Sequence, residues 1–319
     1  MNDVLRQGLI TLSESDLARR FATSAPGART MARRFVAGDR VEDCVRVARD
    51  LNRAGLSVTL DYLGESVHGR AEARSAADTY ISVIERIEAE GLDANVSLKL
   101  TQMGQDIDDR FLRENAGRVL DSARDAELFV RFDMESSAYT QPTIDFFRQV
   151  WNEGYRNCGI VLQSYMKRSE ADVRMANAMN ARVRLCKGAY REPADMAFQE
   201  KEEVDANYIR LMKMLLQEGT FPGIATHDEA MIRATTSFAR ERGISADGFE
   251  FQMLYGVRRD LQTRLRREGY NVRVYVPFGS AWYPYLMRRM AERPANLFFV
   301  MRAVLAETPL RFLVGRGSI

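Results

Sequence analysis

Charged residues stand inside or directly after several short apolar runs, where a buried side chain would need a partner. Lys99 lies in VSLKL, Asp133 follows LFVRF, and Arg184 lies in ARVRLCK. An unpaired charge in such a run is costly to bury. Asp133 or Asp61 could pair with Lys99, which would otherwise be a strand-end residue facing solvent. Arg184 could be neutralised by a bound anion or a polar cofactor.

Two other chemistries fit subsets of the same residues. Four side chains could ligate a divalent ion: Asp133, Glu135, His227 and Asp228. Since the chain has 2 histidines, such a site would be dominated by carboxylates. Lys99 or Lys187 could instead form a Schiff base with a carbonyl substrate. A barrel metallohydrolase, a barrel lyase and a barrel that only binds an amino acid are therefore alternatives at this point.

A second polar cluster lies in SAWYPYLMRRMAER, towards the end of the sequence. Pro284 fits the first turn of a helix. One face of that helix would carry residues spaced at i, i+3, i+4 and i+7: Tyr285, Arg288, Arg289 and Glu292. Glu292 can pair with either arginine, and two adjacent arginines can hold a planar carboxylate. The alternative is a solvent-exposed helix face with surface salt bridges.

Short strands that alternate with helices would have to position these residues. Eight β-prone runs occur: 56–63, 95–100, 128–133, 159–163, 181–187, 223–228, 249–254 and 271–277. The segments between them, such as 74–91, have apolar residues at spacings of three and four. This alternation favours an α/β fold with parallel strands, and eight units close a (βα)8 barrel. An open doubly wound sheet is the alternative, but no G-x-G-x-x-G follows an early strand.

The sequence before the first strand is predicted to be helical. We expect an N-terminal helical segment over 1–55, packed on a catalytic barrel over 56–319. Its clearest helix would begin after Asp39 as N-cap, with Glu42 three residues later, and end at Gly55. In a (βα)8 barrel the carboxyl ends of the strands meet at one mouth. The charged strand-end residues would therefore converge there.

Composition excludes several classes of protein. The chain has 319 residues, 46% hydrophobic and 28% charged, with a formal net charge of +2. These values exclude a disordered chain and a strongly basic nucleic-acid-binding protein. No run of 18 apolar residues predicts a membrane span, and the N-terminus does not resemble a secretory signal. Three widely separated cysteines predict no disulfide framework and favour a reducing cytoplasm.

Eight sequence strings together resemble motifs of the proline dehydrogenase family, in the same order. They are VSLKL, FDME, LQSYMKR, VRLCKGAY, ATHD, EFQMLYG, VRVYVPFG and YLMRRMAE. The resemblance covers about residues 30–305 and is to the monofunctional bacterial type. It implies a distorted (βα)8 barrel of the TIM type, with extra N-terminal helices and a final helix over the barrel mouth. It also implies FAD bound without a Rossmann motif.

The resemblance further implies roles for individual residues. On the substrate side it places Lys99, Asp133, Tyr190, Leu254, Tyr275, Tyr285, Arg288, Arg289 and Glu292, with the two arginines on the proline carboxylate. Around the FAD it places Gln163, Arg184, Lys187, Gly188, Ala189, Thr226 and His227, with Glu135 behind them. Arg184, Lys99 and Tyr275 would be the catalytic residues, and no metal is implied.

The implied activity is oxidation of L-proline to Δ1-pyrroline-5-carboxylate, with electrons passing from the flavin to a membrane quinone. A separate pyrroline-5-carboxylate dehydrogenase would act next. Family members that prefer hydroxyproline carry a smaller residue at the position of Tyr275, so we expect a preference for proline. The sequence from Arg258 to Arg293 contains nine arginines and three acidic residues. This excess could favour contact with the inner face of the membrane, or it is a solvated helix surface.

The sequence departs from the large bifunctional members directly after Tyr190. Those members typically have Trp-Asp at this point, whereas this chain has Arg191 and Glu192. Any flavin contact made by that Trp is therefore not carried over to this chain. The spacing from Tyr275 to Tyr285 is also shorter than in those members.

Overall fold

Eight parallel strands form a closed barrel in the computed structural model, which describes residues 32–292, with side chains up to Met287. The strands are β1 (Ser57–Tyr62), β2 (Ala94–Leu98), β3 (Val130–Phe132), β4 (Cys158–Gln163), β5 (Arg182–Cys186), β6 (Gly223–Ala225), β7 (Glu250–Leu254) and β8 (Asn271–Phe278). Each strand pairs with the next along the chain, and β8 pairs with β1. The eight predicted strands and their closure into a barrel are confirmed.

Nine α-helices surround or follow these strands within the described residues. They are α1 (Val41–Arg53), α2 (Arg70–Glu90), α3 (Asp109–Asp125), α4 (Ser137–Asn152), α5 (Ser169–Ala178), α6 (Lys201–Glu218), α7 (Glu229–Glu241), α8 (Arg259–Arg267) and α9 (Trp282–Glu292). Helices α2 to α8 each connect two consecutive strands. Pro284 falls in the first turn of α9, as predicted. The part of the predicted N-terminal helical segment that precedes residue 32 lies outside the described residues.

The two faces of each strand have different chemistry. The residues that face the helices are apolar and fully buried: Leu60, Val96, Phe132, Ile160, Leu185, Ile224, Phe251 and Val274. The residues that alternate with them are mostly polar and form hydrogen bonds across the interior. Arg184 on β5, for example, bonds to Asp133, directly after β3, and to Gln252 on β7. Because side chains alternate along a strand, the barrel has an apolar outer layer and a polar interior.

Helix α1 covers the seam where the barrel closes. It packs against β8 and β1 through an apolar stripe that includes Val45 and Ala48. The chain before it is tied to the end of β8, because the Ala37 amide donates to the Pro277 carbonyl at 2.9 Å. In a regular (βα)8 barrel the helix that follows β8 lies at this seam. Here the helix that precedes β1 lies there, so the barrel departs from the regular arrangement.

The predicted start of α1 is wrong by one residue. Arg40, not Asp39, is the N-cap, and Asp43 accepts a hydrogen bond from the Arg40 backbone amide at 3.4 Å. A carboxylate three residues into the helix thus satisfies the amide at its start, so no cap from Asp39 is needed. The predicted end at Gly55 is confirmed. Its φ of +76° lies in the left-handed region that glycine adopts without strain.

Candidate active site

Lys99 lies directly after β2 at the centre of a buried charge cluster. Its ammonium nitrogen is 3.3 Å from Asp61 Oδ1 and 3.6 Å from Asp133 Oδ2. The residue is 8% exposed, so the alternative of a solvent-facing lysine is wrong. Burial by itself would lower the pKa of Lys99, but the two carboxylates outweigh it and raise the pKa above its ordinary value. Lys99 is therefore a fixed cation.

Asp133, directly after β3, collects hydrogen bonds from three other strands. Its Oδ1 accepts from Ser97 at 2.6 Å and from Arg184 at 2.8 Å, and its Oδ2 accepts from the Tyr275 hydroxyl at 2.7 Å. Burial would raise the pKa of Asp133, but Lys99 and Arg184 hold it below its ordinary value. The pairing of Lys99 with Asp133 that the resemblance implied is confirmed.

Asp61, on β1, is the second carboxylate beside Lys99. It is almost completely buried and accepts a further hydrogen bond from the Tyr80 hydroxyl at 3.4 Å. Burial raises the pKa of Asp61 above its ordinary value, although Lys99 opposes this. Asp61 and Asp133 thus both face Lys99, and Arg184 pairs with Asp133 from β5.

Arg184 crosses the barrel interior from β5. Besides Asp133, it donates to Ser97 Oγ at 3.2 Å and to the side chain of Gln252, and its guanidinium lies 5.1 Å from the centre of the Tyr275 ring. Its Nη2 is buried and has no hydrogen-bond partner in the part of the chain that the structure describes. A buried guanidinium nitrogen without a partner fits a site for a polar ligand.

Arg182, two residues earlier on β5, does not share this environment. The two arginines lie two positions apart on β5, so they face the same side of the strand. Arg182 is exposed, however, and its guanidinium lies 5.2 Å from the ring centres of both Phe129 and Phe221. It begins the strand at the opposite end of the barrel from the mouth, so it keeps contact with water and needs no bound anion.

Gln163, at the end of β4, offers a buried acceptor next to this region. Its amide nitrogen donates to the carbonyl oxygens of Met134 and Glu135 at 3.4 and 3.3 Å. Its Oε1 has no partner among residues 32–292. One buried donor, on Arg184, and one buried acceptor, on Gln163, are thus left for a group that carries both kinds of atom. The edge of a flavin ring is such a group.

Glu135 contacts Gln163 through its backbone carbonyl, which accepts a hydrogen bond at 3.3 Å. Both of its carboxylate oxygens lie 2.9 Å from the Thr101 hydroxyl. Burial raises the pKa of Glu135 to about 7. The side chain is therefore partly protonated near neutral pH, unlike Asp133.

The segment after β5 carries three of the predicted cofactor residues. Lys187 lies between the carboxylates of Asp205 and Asp228, 3.0 Å from the latter. Gly188 has φ of +106°, and a Cβ there would overlap the Tyr165 ring. The position therefore requires glycine. Ala189 follows it at the same mouth of the barrel.

The end of β6 supplies Thr226 and His227. The Thr226 hydroxyl accepts a hydrogen bond from the Asp228 amide at 3.0 Å. His227 Nε2 accepts one from the Leu254 amide at 2.9 Å. This bond connects a predicted cofactor residue to a predicted substrate residue on β7.

The metal site that the sequence left open has no support. Asp228 accepts from the Ala230 amide at the start of α7 and is paired with Lys187. No group of three His, Cys, Asp or Glu side chains that could hold a metal ion occurs in the described range.

No helix among residues 32–292 has the length and apolar character needed to cross a bilayer.

The substrate residues are described only in part. Tyr190 and Leu254 are half-buried, and Tyr285 on α9 is buried. The side chains of 288–292 lie outside the described part of the structure, so the carboxylate clamp stays a prediction. It concerns Arg288, Arg289 and Glu292.

Two contacts of the cluster were not foreseen. Ser97 and Gln252 both bond to Arg184, and neither was singled out in the sequence. Each lies on the interior face of a strand whose helix-facing side chains are apolar. That alternation was the available signal.

Comparison with known proteins places these residues in a family. A family model described as proline dehydrogenase matches residues 44–302. Proline dehydrogenase 1 of Bacillus subtilis subsp. natto is 39% identical over 302 residues, which cover 95% of this chain and 99% of that protein. The proline dehydrogenase of Deinococcus radiodurans is 38% identical over 309 residues, with coverage of 96% and 99%.

A solved structure gives the same fold. Proline utilization A (PutA) from Bdellovibrio bacteriovorus, inactivated by N-propargylglycine, superposes with a TM-score of 0.80 at 24% identity. The match covers 92% of this chain, but this chain spans only 35% of that longer protein. At this level of identity the similarity concerns the fold.

Proposed function

Since the chain belongs to the proline dehydrogenase family, we propose that it oxidises L-proline to Δ1-pyrroline-5-carboxylate with FAD as its resident cofactor. The observation that best supports the proposal is the buried cluster of Lys99, Asp133, Arg184 and Tyr275, in which one guanidinium nitrogen of Arg184 has no partner in the described structure. FAD, when bound, would accept the hydride that leaves the substrate carbon, and with it both electrons of the oxidation.

The residues that would hold the cofactor lie at the ends of β4, β5 and β6. Arg184 and Gln163 would contact the flavin ring, because each has a buried polar atom left to bond. Lys187, Thr226 and His227 would hold the rest of the molecule. Arg184 is fixed by Asp133 and Gln252, so its charge is already in place before any ligand arrives. Such preorganisation favours negative charge that develops on a neighbouring ring.

The residues on the substrate side would bind and orient proline. Arg288 and Arg289 would hold its carboxylate, as the family motif predicts. Lys99 would add a third positive charge, whose position is fixed by two carboxylates. Tyr190 and Tyr275 would pack around the pyrrolidine ring. Fixing the carboxylate end determines which ring carbon faces the cofactor, so binding energy is used for orientation.

A visible absorption spectrum of the purified protein, before and after anaerobic addition of L-proline, tests the proposal. We expect flavin bands that bleach with proline. Flavin bands that L-proline does not bleach would contradict the assignment of proline as the substrate. A colourless protein that cannot be reconstituted with FAD would contradict the cofactor. Borohydride trapping of a substrate adduct on Lys99 or Lys187 would then test the Schiff-base alternative.

For the later steps we propose a membrane quinone as electron acceptor and a separate pyrroline-5-carboxylate dehydrogenase for the product. The arginine excess between 258 and 293 supports peripheral contact with an anionic membrane. Part of it is neutralised, because Arg258 pairs with Glu229 and Arg273 with Glu250. Binding to anionic vesicles that weakens with salt would support this contact, and binding unaffected by salt would contradict it.

A further inference from the structure

Glu192 is a buried acid in the segment that connects β5 to α6. It is 7% exposed, and its Oε1 accepts hydrogen bonds from the Ser137 amide at 2.7 Å and the Tyr165 hydroxyl at 3.3 Å. Ser137 is the first residue of the 16-residue helix α4, so the carboxylate lies at the positive end of that helix. Burying a carboxylate is costly unless it accepts hydrogen bonds, and the Ser137 amide and the Tyr165 hydroxyl supply two.

The same segment is attached to its other neighbour by backbone hydrogen bonds. The Tyr165 amide donates to the Lys187 carbonyl at 2.9 Å, and the Phe198 amide donates to the Tyr165 carbonyl at 2.8 Å. The Lys167 amide donates to the Met196 carbonyl at 3.0 Å. The two ends of the segment are thus fixed on the chain that follows β4.

The middle of the segment is where Glu192 acts. Tyr190 lies two residues before it, and Ser137 lies four residues after Asp133 on the β3 side. The bond from Glu192 to Ser137 therefore joins the loop that carries Tyr190 to the strand end that carries Asp133. Asp133 is itself fixed by Lys99 and Arg184.

We propose that Glu192 is a positioning residue that holds Tyr190 as one wall of the proline pocket. The proposal rests on the proposed function, since it is there that Tyr190 is assigned to the substrate. Glu192 does not touch the reacting atoms. It acts through the loop, and its charge strengthens the hydrogen bond to the helix amide.

The test uses the flavin-loaded enzyme with Glu192→Ala and Glu192→Gln, and Asp195→Asn as the matched control. Asp195 is an exposed acid in the same segment. Hydrogen–deuterium exchange of a peptide spanning the start of α4 reports the anchor, and steady-state kinetics with L-proline report the pocket. For Glu192→Ala we expect faster exchange there and a KM raised about tenfold, with kcat changed less than about twofold. Glu192→Gln keeps an acceptor oxygen, so we expect a rise of about threefold.

Three results would overturn the proposal. Faster exchange with unchanged KM would make Glu192 a helix cap only. Unchanged exchange in Glu192→Ala would mean that the anchor does not exist. A parallel loss of kcat and bound flavin would indicate a general structural role. If Glu192→Ala does not fold, Glu192→Gln carries the same comparison. Failure of proline to reduce the wild-type flavin would instead overturn the proposed function, whereas the exchange experiment would still report on the anchor.

Discussion

The Tyr275 hydroxyl on β8 donates a 2.7 Å hydrogen bond across the barrel interior to Asp133, directly after β3. The Tyr275 ring also lies 5.1 Å from the guanidinium of Arg184, which bonds to the other oxygen of the same carboxylate. Tyr275 thus contacts both the Asp133 carboxylate and the Arg184 guanidinium. Burial raises its pKa well above the ordinary value, so it remains a hydrogen-bond donor at any working pH.

We expect Tyr275→Phe to weaken the cluster, because one oxygen of Asp133 loses its donor. The free energy of unfolding should fall by about 1–3 kcal/mol, and kcat/KM for proline should fall about tenfold. Urea unfolding and steady-state kinetics measure the two effects. Tyr270→Phe is the control, since Tyr270 lies just before β8 and packs on Phe249 and Phe251 instead. Equal effects in both variants would contradict a specific role for the Tyr275 hydroxyl.

Tyr275 should also decide between proline and 4-hydroxyproline. From the family pattern we expect a tyrosine at this position to clash with a ring hydroxyl and a serine to leave space for it. We expect Tyr275→Ser to raise the ratio of kcat/KM for hydroxyproline over that for proline. Competition between the two substrates in one reaction measures that ratio. An unchanged ratio would mean that this side chain does not contact that edge of the ring.

Arg288→Ala and Arg289→Ala should each weaken proline binding without loss of FAD. A lost charge-assisted contact to the carboxylate is expected to raise KM by about tenfold or more. Flavin content, read from the visible spectrum, should stay at the wild-type level. Arg267→Ala, at an exposed position in the last turn of α8, serves as the control. A wild-type KM in both variants would disprove the carboxylate clamp.

Glu135 should make stability depend on pH. Its pKa is about 7 in the fold against 4.5 when unperturbed, so the folded state favours the protonated form. This contribution is fully present below about pH 4.5 and is lost as pH rises through 7, up to about 3 kcal/mol. Relative to Glu135→Gln, the wild type should therefore be less stable at pH 8 than at pH 5. Urea unfolding of both proteins gives the difference, and a constant difference would contradict the raised pKa.

Activity should rise with pH over the mildly alkaline range. Hydride leaves proline readily only when the amine is neutral, because its lone pair must assist. Lys99 and Asp133 keep their charges in this range, since the pKa of the first is raised and that of the second is lowered. A rise between about pH 6 and 9 would thus reflect the substrate amine. A flat profile would count against this mechanism, and Glu135→Gln checks that Glu135 is not the source.

Sequence periodicity was enough to predict the barrel, but not the contacts within its interior. Lys99 and Asp133 were recognisable because charges in apolar runs demand partners. Ser97 and Gln252 were not, because a neutral polar residue in a strand carries no such demand. Arg182 and Arg184 share a strand face, yet only the barrel geometry separates the end open to water from the enclosed one. The bond from Glu192 to Ser137 spans 55 positions, so no local pattern could reveal it.

The placement of α1 has a consequence for how the chain folds. The helix is synthesised before β1, yet one of the two strands it covers, β8, is synthesised after every other strand. The apolar stripe of Cys44, Val45 and Ala48 is therefore fully covered only when β8, more than two hundred residues further along the chain, has been synthesised. Contacts of such high sequence separation slow folding and expose apolar surface meanwhile. A nascent chain that stalls before residue 271 would present this stripe to chaperones, with the β1 edge uncovered beside it.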